Sequence, residues 1–356
     1  MIFLPKFMAG PKYKTLFTFL KRSLYILPVV AAAVLAILAY GFHVFPKKSQ
    51  YLSDGPPAGM IRVITLGTGN PLPTIHRFGP STLIQANGKN FLFDVGRGSI
   101  QRLFQVNTPF EDVDKVFLTH LHSDHMVGFP DLLLTGWVFG RVKPLQVWGP
   151  AGTQAFVDNI LKAFVFDINA RKAENGRPDP IVKVTEMDKE GVIYDSDGVK
   201  ITVFLVDHSP VVPAYGFRLD YNGKSVVLSG DTKYSENLIN HAKNADVLIH
   251  EVAYSKDAVP EDLVGAYAHH IHPDEAAKVF NLTQPKLAVY SHIALVPGTR
   301  NKDLLSLTQK TYKGPLLIAD DLTMIEIGED VQTKKLSNIM PRLQPLYGRT
   351  KAFLSE

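Results

Sequence analysis

Seven consecutive residues, Thr119-His120-Leu121-His122-Ser123-Asp124-His125, carry three imidazoles and a carboxylate. They follow the apolar run Val116-Phe117-Leu118, so the pattern predicts a strand that opens into a loop. On an extended backbone side chains repeat every two residues, which turns His120 and His122 the same way. That pair can grip one cation, while Asp124 and His125, a step further on where the chain turns, reach a second. Imidazole with carboxylate suits zinc, and a sequence without Cys cannot build the closed thiolate sites of structural zinc. Manganese or iron would accept the same donors. A solvated His-rich loop is the bland alternative; the density of donors at a strand end argues against it.

The elements that must position this loop are short strands. Ile61 to Leu66 is one, stopped by Gly67-Thr68-Gly69-Asn70-Pro71, and Ser81 to Gln85 with Asn90 to Phe93 forms a hairpin about Asn87-Gly88. Lys115 to Leu118, Leu145 to Trp148, Lys200 to Val206, Val247 to Ile249 and Leu287 to Tyr290 read as further strands, with helical periodicity from Thr153 to about Phe166. Tyr215 to Leu219 and Ser225 to Leu228 make a second hairpin about Asn222-Gly223, and Leu316 to Ile318 and Leu322 to Ile327 close the set. Arg171 to Pro180, polar and broken by Gly and Pro, reads as a surface loop. His120, His208, Asp231, His250 and His292 each follow a short aliphatic run. Polar residues placed repeatedly at strand ends are how an α/β scaffold lines one shared cleft. Phe91-Leu92-Phe93-Asp94-Val95-Gly96 also echoes Val226-Val227-Leu228-Ser229-Gly230-Asp231, as two βα halves with a sheet each would.

With 46% hydrophobic and 20% charged residues among 356, the chain has the make-up of a globular protein with a sizeable core. Its net charge of +4 is unevenly spread: residues 1–48 hold seven Lys and Arg and no acid, leaving 31 basic against 34 acidic residues elsewhere. A body of about −3 lacks the broad basic surface of a nucleic-acid binder, which makes nucleic acid an unlikely partner on this reading. Leu24 to Phe45 is a 22-residue apolar run preceded by five positive charges, long enough to cross a bilayer with the N-terminus in the cytoplasm. A cleaved signal peptide is the rival reading; the run continues too far past Val34-Leu35-Ala36 for a short signal core. The expected layout is therefore a cytoplasmic basic segment 1–23, a transmembrane anchor 24–45, a linker 46–59, a catalytic domain 60–330 and a polar tail 331–356. Such an anchor would sit in a bacterial inner membrane with the domain on its extracytoplasmic side.

Taken together, the residues resemble the metallo-β-lactamase superfamily, whose α/β fold is an αββα sandwich binding one or two zinc ions along the edge between its sheets. The His-x-His-x-Asp-His string is that family's most diagnostic motif and is complete here. Leu66-Gly67-Thr68-Gly69, Leu92-Phe93-Asp94-Val95-Gly96, and His208 followed by Tyr215-Gly216-Phe217-Arg218 resemble its ribonuclease Z and arylsulfatase-like branch. The resemblance covers about residues 61–327. It implies two zinc ions: His120, His122 and His208 on one, Asp124, His125 and His292 on the other, and Asp231 between them. Asp124 would also orient the attacking water. Ribonuclease Z-like enzymes add a catalytic His paired with a Glu. His270-Ile271-His272-Pro273-Asp274-Glu275-Ala276-Ala277 matches the first motif and His250-Glu251-Val252-Ala253 the second, which implies His270 as acid and Glu251 as its holder, with His272 the other candidate.

The resemblance leaves the substrate open. Only Leu219 to Lys224 separates Arg218 from the next strand, too short for the flexible arm that ribonuclease Z carries for tRNA. The expected function is thus an anchored dinuclear zinc hydrolase of a small phosphodiester or sulfate ester, with Arg171 a candidate for the substrate anion. A tRNA 3′ endonuclease, a lactonase and a non-catalytic metal-binding scaffold are the alternatives. Dimers are common in the family, so the resemblance also brings a homodimer as a partner to expect.

Overall fold

The computed structural model describes residues 55–254, 259–296 and 298–336. The run 24–45 expected to cross a membrane lies outside them, and among the described residues no helix is long and apolar enough to do so.

The chain enters through strand β1 (Ile61–Gly67), which pairs with β2 (Ser81–Ala86), followed by β3 (Lys89–Phe93), helix α1 (Ser99–Gln105) and β4 (Lys115–Phe117). Then come α2 (Ser123–Met126), α3 (Phe129–Val138), β5 (Leu145–Gly149), α4 (Thr153–Ala163), α5 (Val165–Asn175) and β6 (Val182–Glu186). The second half runs β7 (Gly191–Ser196), β8 (Val199–Val206), β9 (Ala214–Tyr221), β10 (Lys224–Leu228), α6 (Glu236–Ala242) and β11 (Val247–Tyr254). It ends with α7 (Val264–Tyr267), α8 (Pro273–Thr283), β12 (Leu287–Leu295), α9 (Asn301–Thr308), β13 (Leu316–Ile318), β14 (Thr323–Ile327) and β15 (Val331–Lys335). One sheet has eight strands in the order β15-β14-β1-β2-β3-β4-β5-β6; the other has seven, β13-β12-β11-β10-β9-β8-β7.

The sheets face each other across a layer rich in aromatics. Phe117 stacks on Trp148 at 4.7 Å and on Phe93 at 4.9 Å, and Phe217 crosses from the opposite sheet. Truncating a ring so enclosed typically costs about 3–5 kcal/mol. The outer faces are also covered, which is why most central strands are apolar on both sides. Leu103, Phe129 and Leu132 of α1 and α3 pack on Leu92 and Val116, while Leu238, Ala276 and Phe280 of α6 and α8 pack on Phe204 and Val227. The result is the expected αββα sandwich, and the internal echo is real: β3 and β10 each pair antiparallel with the preceding strand and parallel with the next.

Several expectations are corrected. Arg171 to Asn175 is not loop but the last turns of α5, which ends where Gly176 adopts φ +64. The periodicity from Thr153 is two helices broken at Phe164. Val331–Lys335 does not belong to a tail; it pairs with β14, so the domain runs to at least residue 335. β6, β7 and β15 escaped notice because they are edge or near-edge strands whose exposed faces carry polar residues instead of an apolar run.

Candidate metal centre

At the end of β4, the N–H of Leu118 bonds the carbonyl of Trp148 at 2.8 Å and holds the following chain extended. His120 and His122 come off this stretch with ring centroids 4.7 Å apart. The single turn of α2 then carries Asp124 and His125 round, setting the His125 ring 4.1 Å from that of His120. The turn is locked from beneath: the Val95 N–H donates to the His125 carbonyl at 2.7 Å, and the Gly128 N–H to that of Val95 at 2.9 Å. Gly96 has to be glycine here, since a Cβ would lie 2.3 Å from the backbone of Gly79 and 2.6 Å from the Asp124 carbonyl.

The facing sheet supplies the remaining donors. His208 follows β8 and Asp231 follows β10. His292 lies inside β12, not at its end, with a left-handed φ of +44. The parallel pairing of β11 with β12 slips by one residue there, between His250 and Val252. Such a bulge re-aims side chains; this one brings Glu251 and His292 to the site. One oxygen, Asp231 Oδ2, faces four imidazole Nε2 atoms: His292 at 3.2 Å, His125 at 3.3 Å, His120 at 3.8 Å and His208 at 4.0 Å. Asp124 Oδ2 stands 3.4 Å from His292 Nε2 and 3.7 Å from His125 Nε2.

These seven side chains fall into two donor groups around Asp231. His120, His122, His208 and Asp231 present atoms within 4.8 Å of one another, as do Asp124, His125 and His292. The Nε2 atoms of His120 and His125 are buried and accept or donate no hydrogen bond among the described residues. Buried nitrogens that converge on a carboxylate oxygen without bonding to protein are what a divalent-cation site requires, so the donor set fits a metal.

A model of the Beta-lactamase superfamily domain matches residues 89–293, over half of the chain and spanning all seven donors. The chain belongs to the metallo-β-lactamase superfamily. A ribonuclease Z of Mycolicibacterium gilvum is 37% identical over 285 residues, covering 77% of this chain and 99% of the relative. One of Mycobacterium marinum is 38% identical over 279 residues, covering 75% and 99%. Among solved structures, a metallo-β-lactamase fold protein, YhfI of Bacillus subtilis, superposes with a TM-score of 0.59 at 20% identity over 75% of this chain and 99% of that one. The short form of human tRNase Z does so with 0.57 at 22%, over 75% and 99%. At those identities the two structures speak for the fold alone.

The curated relatives overturn one expectation. They are ribonucleases by name and are matched over 99% of their own length, against the expectation of a small-ester substrate with nucleic acid an unlikely partner. The sign of the body's charge was a poor guide, because a metallo-hydrolase meets the scissile phosphate with its cations and not with its surface alone. The β9–β10 hairpin is as tight as read, turning at Asn222-Gly223, but its shortness does not exclude RNA.

Beside the donors stands the second expected pair. His270 Nδ1–H donates to Glu251 Oε1 at 3.0 Å, and the N–H groups of Thr232 and Ile271 donate to the same oxygen at 3.1 Å. The His270 ring lies 5.1 Å from His208 and 5.3 Å from His292. Burial would push its pKa down, but Glu251 outweighs that and raises it to about 9. Burial pushes His208 down to about 4, so its ring is neutral. Asp124 and Asp231 are held below the usual carboxylate range: burial opposes this, and the surrounding imidazoles prevail. His272 instead pairs with Asp274 at 2.6 Å on the surface, which separates it from His270. Arg171 is bound to Asp167 one turn back at 3.0 Å and is not among the side chains gathered here.

Two orienting groups had no role assigned from sequence. Asp94, with φ +56 after β3, accepts from His125 Nδ1–H at 2.8 Å and from the Thr119 N–H at 2.9 Å. The carbonyl of His269 accepts from His208 Nδ1–H at 3.0 Å. Each fixes a ring so that Nε2 points at the cluster. The Asp94-Val95-Gly96 run after a strand was the available signal for the first; a backbone carbonyl leaves none for the second.

Proposed function

We propose that this superfamily hydrolase is a dinuclear zinc phosphodiesterase of ribonuclease Z type that cuts RNA. The observation that carries the reading is the Glu251–His270 pair set beside seven donors, in a chain that matches ribonucleases along 99% of their length. His120, His122 and His208 would hold one zinc and Asp124, His125 and His292 the other, with Asp231 shared. When bound, such a pair supplies an activated water as nucleophile and neutralises charge on the phosphoryl oxygens. The chain's own groups do the rest. Asp124, ionised and placed between His125 and His292, orients the attacking water and accepts its proton. His270 has Nδ1 engaged by Glu251, so Nε2 is the atom that delivers a proton to the departing oxygen.

Purified, zinc-loaded protein is expected to cut an RNA with a single-stranded 3′ extension and to leave no 2′,3′-cyclic phosphate, because water and not the 2′-hydroxyl attacks. Turnover of p-nitrophenyl sulfate with intact RNA would overturn the reading. The compartment is a separate proposal: the basic segment and apolar run at the N-terminus argue for an anchored domain outside the cytoplasm. Carbonate extraction and protease protection of intact cells decide it; a freely extracted or protease-inaccessible domain refutes it.

A further inference from the structure

Next to the acid, His269 has a side chain with no partner in the protein. It is half-buried, with its ring 4.8 Å from that of His270, 4.6 Å from His208 and 6.2 Å from His122. A ring nitrogen of each of His208, His269 and His270 lies within 4.8 Å of the other two. The main chain here is committed: the His269 carbonyl accepts from His208 Nδ1–H at 3.0 Å, and the His270 N–H donates to the Tyr267 carbonyl at 3.3 Å. The side chain is not, since neither ring nitrogen of His269 bonds protein among the described residues.

Other polar groups around the acid are engaged. Glu251 Oε1 accepts from His270, Thr232 and Ile271, and the Thr232 hydroxyl donates to the Lys233 carbonyl at 2.8 Å. Asn70 donates to the Ile293 carbonyl at 3.0 Å, and His272 pairs with Asp274. An imidazole beside the proton donor, with a donor and an acceptor both unspent, serves a ligand and not the fold.

His270 fixes which ligand atom that is. When water adds to phosphorus and the bond from phosphorus to O3′ breaks, the His270 proton passes to O3′. The oxygen next to O3′ on the same ribose is the 2′-hydroxyl, a donor and an acceptor in one and the group that separates RNA from DNA. Two imidazoles with nitrogens within 4.8 Å of each other match two vicinal oxygens, each at a hydrogen-bond length of about 2.9 Å. We infer that His269 reads the 2′-hydroxyl of the ribose whose O3′ departs, and so restricts this enzyme to RNA. The inference rests on the RNA reading above and adds sugar specificity to it.

The test uses the full-length, zinc-loaded chain, wild type and His269→Ala, on two RNA hairpins with a single-stranded 3′ extension. The all-RNA hairpin maps the cleaved bond and is expected to yield a 3′-hydroxyl and a 5′-phosphate. The second hairpin carries one 2′-deoxyribose, on the 5′ side of that bond. Losing this hydroxyl should lower wild-type kcat/KM about three- to tenfold more than it lowers that of His269→Ala, the worth of one neutral hydrogen bond. His269→Gln keeps a donor and an acceptor and should regain part of the difference. Metal content, and turnover of bis-p-nitrophenyl phosphate, which has no ribose, should stay within about twofold in both variants. An equal deoxy penalty in wild type and His269→Ala overturns the inference, as does a 3′-phosphate product, for which the departing oxygen is O5′. If His269→Ala loses metal, or slows as much on the small diester, the ring supports the donor cluster and the inference is again overturned. Wild-type protein that leaves RNA intact refutes the functional reading first, and the sugar specificity with it.

Discussion

Strands β3 and β10 occupy equivalent places in the two sheets, and each delivers an aspartate just past its C-terminal end. The two carboxylates face the histidines from opposite sides. Asp231 meets four Nε2 atoms with one oxygen, on the inner side of the rings. Asp94 meets the outer nitrogen of His125 and, through Thr119, the backbone of the loop itself. The place that Asp94 takes after β3 is held after β10 by Ser229, whose N–H bonds Ile249 as that of Asp94 bonds Phe117, and the second aspartate comes two residues later. The asymmetry follows from the loops. The strand after β3, β4, carries the His-rich turn over Asp94, whereas Asp231 comes after Ser229 and Gly230 and reaches the four Nε2 atoms themselves.

The comparison is broken hardest by removing the inner carboxylate. Asp231→Ala takes away the oxygen that both donor groups share and leaves buried imidazoles facing one another. Metal content by elemental analysis and RNA cleavage should fall together to background. A variant that retained two metals would show that Asp231 is no ligand. His270→Ala comes next: metal is retained while kcat on RNA falls about 10²–10⁴-fold, the usual worth of a positioned proton donor. Because p-nitrophenolate leaves without protonation, bis-p-nitrophenyl phosphate should slow far less. Equal losses on both substrates would remove His270 from the acid role.

Asp94→Asn tests the outer carboxylate and should act on affinity, not on chemistry. Losing the partner that fixes a ligand ring costs about 10–100-fold in metal binding. Competition with a chelator reads that loss directly, and saturating zinc should restore most of the rate. If metal content collapsed as it does in Asp231→Ala, the inner and outer positions would be equivalent after all.

The two halves were unequally legible for a related reason. From Thr119 to His125 the site is local, and spacing alone on a strand and one turn orients its side chains. The second half depends on long-range pairing. His292 reads as a strand-end residue, yet it lies within β12, at a slipped register and a positive φ that no sequence pattern announces. Such a backbone costs of order 1–3 kcal/mol and persists only because pairing on both sides imposes it. α5 was misread for the opposite reason: its Gly and Pro lie just beyond the helix, and the polar residues before them are its exposed face. The expectation against nucleic acid rested on net charge, which integrates over the whole surface, while a metal centre acts at one phosphate.

Glu251→Gln sharpens what remains, since Glu251 acts on the reaction only through His270. The carboxylate raises His270 to about 9, above the ordinary 6.5 of an imidazole, against the downward push of burial. A pKa raised by folding gives stability that is complete below about 6.5 and is lost as the pH climbs through about 9. The same window governs catalysis, because only the protonated ring can supply the leaving oxygen. Wild-type kcat on RNA should therefore decline on an alkaline limb set by His270, at a pH below about 9 once dications stand beside the ring. In Glu251→Gln the amide keeps the bonding geometry but not the charge, so burial is opposed only by the weaker pull of Asp231 and the alkaline limb should move down in pH. Near pH 6 the two proteins should differ least. An alkaline limb that did not move in the variant would mean that another group sets it, and that the Glu251–His270 bond orients the ring without holding its proton.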